Sequence, residues 1–248
     1  MRPAGGRALW GVILVEQGVF STAIGLIVGL DPDFLAIVGL SLGVTLSALA
    51  LAALVGLPLG ALLALVRFPG RSLVIVAVNA LMGLPPVVAG LVLFLLLSRS
   101  GPLGGLGWLF TPRAMVVAQF LLVLPIIVAL TRQIVEDLWR EYAEMLTSLD
   151  RTGLAAIPTL LWDARFSLVT ALLAGFGRAS AEVGAVLLVG GNIAGYTRTM
   201  TTAIALETSK GDLPLALGLG LVLIGLTMLV NAAIFFAGRI SERQAGAA

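Results

Sequence analysis

Five apolar runs, each long enough to cross a bilayer, divide this sequence: Leu35–Val66, Ser72–Ser98, Ala114–Leu130, Phe166–Val189 and Leu213–Ala237. A hydrocarbon core about 30 Å thick takes about 20 helical residues, and only helices or closed barrels satisfy their own backbone inside it. The rest of the chain offers no alternative. Of its 248 residues 59% are hydrophobic and 11% charged, with a mean hydropathy of +1.10. A soluble domain carries about 25% charged residues to meet water. The reading is an all-α, multi-pass membrane protein with about five core transmembrane helices, or six if the N-terminal segment Leu9–Leu30 also spans. Arg2 and Arg7 precede that segment as in a targeting signal. Glu16 and Gln17 interrupt it, and no small-x-small cleavage site follows. Residues 1–34 therefore read as a retained interfacial or partial-span segment.

Chemistry is restricted as sharply as the fold. The chain has no cysteine and no histidine, which removes disulfides, thiol nucleophiles and imidazole acid–base work. No catalytic residue and no metal site is expected. Lys210 is the single lysine, and no GxxxxGK[ST] sequence occurs, so the chain has no phosphate-binding loop. It binds no cofactor of its own on this reading.

Within the spans, Pro58 lies inside the first run and Pro85–Pro86 midway along the second, in NALMGLPPVVAG (79–90). Each proline removes a backbone donor and kinks its helix or marks a break. Pro85 and Pro86 are a candidate pore-side feature, with a plain structural kink as the alternative. Gly39/Gly43 and Gly56/Gly60 form two GxxxG pairs that allow close helix approach, within one subunit or between subunits. Placing the charged segment 131–165 inside also puts Arg67, Arg71, Arg132, Arg140, Arg151, Arg165, Arg239 and Arg243 there, against Arg99, Arg113, Arg198 and Lys210 outside.

Residues 131–165 are the one long polar stretch. Ile134, Leu138, Tyr142, Met145 and Leu149 recur at helical spacing, which predicts a short amphipathic helix, a turn at Thr152–Gly153 and a second short helix. It reads either as a solvated loop or as a docking element laid into a partner's groove.

The fourth run carries GRASAEVGA (177–185), with Arg178 and Glu182 at i and i+4 on one helix face. Each would cost about 2.5–3.5 kcal/mol if it faced lipid at a helix centre. No other acid or base occurs in the five runs. The pair reads as a structural clamp, a pore-lining gate or a proton relay. In the outer loop, Gly190, Gly191, Asn192, Thr197 and Arg198 offer backbone N–H, hydroxyl and guanidinium donors that suit an oxyanion, or form a turn before a capped helix.

The order of these features resembles the membrane subunit of an ABC importer of the molybdate/sulfate/tungstate type. ALMGLPPVVAGLVLFLLLSRSGPLG, LFTPRAMVVAQFLLVLPIIVAL and GRASAEVGAVLLVGGNIAGYTRTMTTAIALETSKGDL carry the narrower likeness to tungstate permeases. The likeness runs from about residue 35 to 237 and implies a type I importer permease bundle, with 131–165 as its cytoplasmic coupling loop and 238–248 as a cytoplasmic tail. Glu141-Tyr142-Ala143 stands where that family has its EAA sequence. The glycine expected near Ser148, Leu149 and Asp150 is absent, and Gly153, after Arg151, comes late. The resemblance implies a prokaryotic inner-membrane location and a second copy of the chain. It further implies two ATPase subunits using ATP and Mg, and an external solute-binding protein, for which the outer loop is a candidate contact. Tungstate is the expected cargo, with molybdate, vanadate or sulfate as alternatives. A secondary anion carrier is the competing class.

Overall fold

The computed structural model describes residues 24, 25, 28, 29 and 32–245, with side chains to residue 233. The expectation for a span over Leu9–Leu30 lies outside the described residues, as do most of residues 1–34.

Among the described residues three helices are long and apolar enough to cross a membrane unaided: α1 (Pro32–Leu65), α4 (Pro112–Ser148) and the first part of α9 (Leu213–Ala245). Two further candidate spans are bent pairs. Helices α2 (Arg71–Met82) and α3 (Pro86–Leu97) meet at 102°, and α5 (Ile157–Asp163), with the 3-10 turn that leads into it, meets α6 (Arg165–Ser180) at 78°. Two short helices complete the bundle, α7 (Gly184–Gly190) and α8 (Met200–Lys210). Counting each bent pair as one span gives five by length and composition, although the second pair covers 153–180 rather than the expected 166–189.

Proline does different things at different places. At Pro85–Pro86 the chain breaks: Gly83 ends α2, Pro85 is extended at φ −61° and ψ 124°, and Pro86 opens α3 at its first turn, where a missing N–H is harmless. Of the two expectations for Pro58, a kink or a break, the break does not occur: α1 continues through it to Leu65. This part of α1 packs tightly against α4. A Cβ on Gly56 would sit 2.8 Å from Ile127 Cγ2, and one on Gly60 2.6 Å from Thr131 Cβ and 2.7 Å from the Val128 carbonyl oxygen. The second GxxxG pair therefore seats α1 directly on α4 within one subunit. The first pair, Gly39/Gly43, meets nothing within 4 Å.

Helix α4 is the axis of the fold. Its 37 residues would reach about 55 Å at 1.5 Å per residue, well beyond a bilayer. The excess is the polar inner part. A core of Ala61, Val135, Leu146, Ala156 and Leu160 continues beneath it, so the inner loop packs onto the end of α1. Arg71 reinforces that joint. Its Nε donates to Leu63 O at 2.7 Å, capping α1, while its guanidinium pairs with Glu136, which also takes Arg132 Nη1 at 2.6 Å. The separate amphipathic helix expected in 131–165 is absent as such: α4 runs without interruption to Ser148. Helical hydrogen bonding continues from the span into the loop because no proline or glycine intervenes between Leu130 and Ser148.

Candidate transport path and coupling loop

The fourth apolar run holds the main surprise. It was expected as one helix over Phe166–Val189, but it stops at Ser180 and restarts at Gly184. Inside a membrane such a break needs partners for its freed backbone groups. They come from the side chains of GRASAEVGA and two other helices. Glu182 Oε1 accepts the Ala185 N–H at 2.9 Å, capping α7, and Oε2 accepts Arg178 Nη1 at 2.9 Å. Thr201 Oγ1 donates to Glu182 O at 2.8 Å, and Gln119 Nε2 donates to Ala179 O at 3.1 Å. The pair is uneven in exposure. The Glu182 side chain is 2% exposed, whereas that of Arg178 is 29% exposed.

Gln119 escaped the sequence reading. A signal was present, since it is the one hydrogen-bonding side chain between Ala114 and Leu130. Its Oε1 is buried without a partner. Beside it lies a cavity of about 20 Å3, lined in part by Ser41, Thr45, Ser180, Thr199 and Thr201, which is room for a single water. The Ala179 carbonyl fixes the amide with its NH2 toward α6.

In the outer loop most candidate groups are tied into the fold. Thr197 is fully buried; its Oγ1 donates to Gly190 O at 2.6 Å and accepts the Ile193 N–H at 2.9 Å. Gly191 and Asn192 take left-handed backbone at φ 73° and 51°, and Asn192 Nδ2 donates to Thr202 O. At the start of α8, the Met200 N–H goes to Ser41 Oγ at 2.7 Å and the Thr199 N–H to Thr202 Oγ1 at 3.0 Å. Arg198 stands apart. It lies 3.9 Å from buried Glu207 and lines an outer cavity of about 200 Å3 with Asp33, Ile37 and Tyr196. A second cavity of about 430 Å3, with Trp108, Thr111 and Arg113, shares Tyr196 with it.

At the inner end, Glu141, Tyr142, Ala143 and Ser148 belong to the last turns of α4, and Leu149–Thr152 turn the chain. Asp150 adopts φ 55° and Gly153 φ 56°. Asp is among the few residue types that enter the left-handed region readily, so the turn forms at Asp150 without the expected glycine. Leu149 and Leu154 are each 64% exposed, and Trp162 is 72% exposed. Trp162 lines a groove of about 330 Å3 together with Tyr142, Met145, Leu160 and Asp163. The groove is acidic: the carboxylate of Glu141, then that of Asp163, raises the Tyr142 phenol above its ordinary pKa of 10.0. Next to it, Arg165 stacks over Trp162 at 5.1 Å and Phe166 at 4.4 Å, as in the aromatic and cationic belt of a membrane interface. Pro85 and Pro86 stand at the α2–α3 break; α2 has no fully buried residue, and α3 buries Gly90, Leu93 and Leu97.

Comparison with known proteins fixes the family. The chain is 40% identical over 215 residues to a probable anion ABC transporter permease protein of Haloferax volcanii, covering 85% of this chain and 91% of that one. The chain belongs to the ABC transporter permeases. This permease is also 39% identical over 216 residues to the tungstate uptake system permease protein TupB of Peptoclostridium acidaminophilum, covering 87% and 95% of the two chains. The sulfate transport system permease protein CysT of Escherichia coli is more distant, at 29% over 184 residues, 71% of this permease and 66% of its own length. No family model matches the permease.

Proposed function

We propose that this permease is the membrane subunit of a tungstate importer, working as two copies with two separate ATPase subunits and an external binding protein. The observation that carries the reading is its likeness to a tungstate uptake permease over nearly its whole length. Sulfate permeases resemble it less. Energy comes from ATP and Mg used by the partner, because this chain has no phosphate-binding loop. The apolar knob of Leu149, Leu154 and Trp162, which projects beyond the spans, supports docking of such a partner. Its base packs on α1 and its helix is continuous with the α4 span, so a push at Leu149 is delivered to the bundle as a rigid displacement. The external protein selects the anion, and the two permease copies supply its path.

The test is purification from native membranes with identification of what accompanies the permease. A stoichiometric P-loop ATPase, lost when residues 141–153 are scrambled, supports the importer. Titrating the external binding protein with tungstate against molybdate then fixes the cargo. A permease free of ATPase that moves anions down an ion gradient in liposomes overturns the reading in favour of a carrier.

A further inference from the structure

The ion pair at the α6–α7 break is asymmetric, and the asymmetry has a direction. Glu182 is closed off: both of its carboxylate oxygens are occupied, and its side chain is buried. Arg178 presents the pair to the outside. Only its Nη1 has a recorded acceptor among the described residues, and nearly a third of its side chain is open. Ala174, Gly177 and Ala181, on the same stretch, are exposed and small, and a Cβ on Gly177 would meet nothing within 4 Å. Thirteen residues beyond Arg165, Arg178 lies about 20 Å along α6 from the inner interface, deep in a membrane about 30 Å thick.

A guanidinium at that depth does not face lipid without a large penalty. It therefore faces water or another protein surface. Within the five apolar runs a second copy has no further counter-charge to offer, because Glu182 is the only acid there and is already buried. Two copies related by a two-fold axis would bring two Arg178 side chains toward one path. Two such cations repel each other unless something between them carries negative charge.

We propose that the open N–H edge of Arg178 is an anion-contact site in the transport path, and that its ligand is a tetrahedral oxyanion of charge −2. Buried Glu182 is a positioning residue: it holds the guanidinium in place and lowers its net attraction, so the anion is contacted without being trapped. The small residues around Arg178 leave the anion room to approach. This rests on the two-copy importer proposed above.

The test uses the absence of cysteine in the native sequence. Gly177→Cys is introduced into the complete transporter, with Arg178 and Glu182 intact, and treated with methanethiosulfonates carrying a sulfonate or an ammonium group. In water-like surroundings a lone cation about 6 Å away would favour the anionic reagent over the cationic one by about tenfold, and the Glu182 carboxylate just behind it cuts this to about two- to threefold. The expected result is that preference, its loss when Arg178→Gln is added, and slowing of the reaction by tungstate. Equal rates for the two reagents, or no reaction in any nucleotide state, overturn the proposal. ATP-driven uptake by Arg178→Gln/Glu182→Gln supplies the second measurement. The two amides can replace the clamp, so assembly with the ATPase is retained while tungstate uptake falls. Full recovery of uptake in this double variant would make the pair a clamp and nothing more. Co-purification of the ATPase reports separately on the importer reading, so either idea can fail without the other.

Discussion

Replacing Leu149 by alanine perturbs the inner knob while leaving the bundle alone. Leu149 is 64% exposed and sits just after α4 ends, outside the core beneath the loop. Fully burying a leucine side chain is worth about 1.5–3 kcal/mol, so burying its open two thirds against an ATPase contributes about 1–2 kcal/mol. Removing it should weaken docking by about 5- to 30-fold, since each 1.4 kcal/mol is tenfold. The assay is a titration of the purified ATPase subunit onto the permease in lipid nanodiscs, paired with the thermal unfolding temperature of the permease alone. Affinity should fall and the unfolding temperature should stay put, because no buried contact is lost. Leu154→Ala, equally exposed in the 3-10 turn beyond, should behave in the same way. An affinity unchanged within twofold for both variants refutes the docking argument. A parallel drop in unfolding temperature refutes it too, by showing that these leucines belong to the fold.

Gly60→Ala should destabilise the permease by about 1–3 kcal/mol, as overpacking does, because the new methyl meets Thr131 and the Val128 carbonyl backbone; the unfolding temperature reports it. Gly39→Ala, with open space around it, should leave that temperature nearly unchanged. Gln119→Leu should lower the unfolding temperature, at a cost of about 1 kcal/mol, through loss of its bond to Ala179 O. Tyr142 titrates above its ordinary value, so the folded state holds its proton longer than the unfolded one. Its contribution is present below about pH 10 and is lost as the pH rises through the folded-state value. Glu141→Gln should move the phenolate absorbance step of Tyr142 downward in an ultraviolet titration, and no movement would remove Glu141 as the cause.

The spans were legible in the sequence because lipid imposes a simple rule. Helices α1, α4 and α9 follow from run length alone, and the break at Pro85–Pro86 follows from proline's missing N–H. The second break was not legible in the same way. No proline marks Ala181–Val183, and its hydrogen bonds come from Gln119 and Thr201, 60 and 19 residues away in sequence. Periodicity in 131–165 predicted helix, but the packed face is not the one it named: Val135 and Leu146 are buried, whereas Met145 and Leu149 are exposed. Nor could it show whether the helix started there or continued from the membrane. The turn residue was mistaken for a missing glycine because aspartate, too, can adopt the left-handed backbone.

Composition and pattern determined the membrane class, the number of apolar runs, the inner loop and the presence of one ion pair in lipid. These are one-dimensional properties: hydrophobic length, charge placement and the absence of reactive side chains. Tertiary structure decided what Arg178 and Glu182 do for the fold, which GxxxG pair packs inside the subunit, and which groups of the outer loop are already bonded. Each of those depends on where a distant helix places its backbone. A sequence states which side chains need partners, and only the packed bundle states which of them have found one.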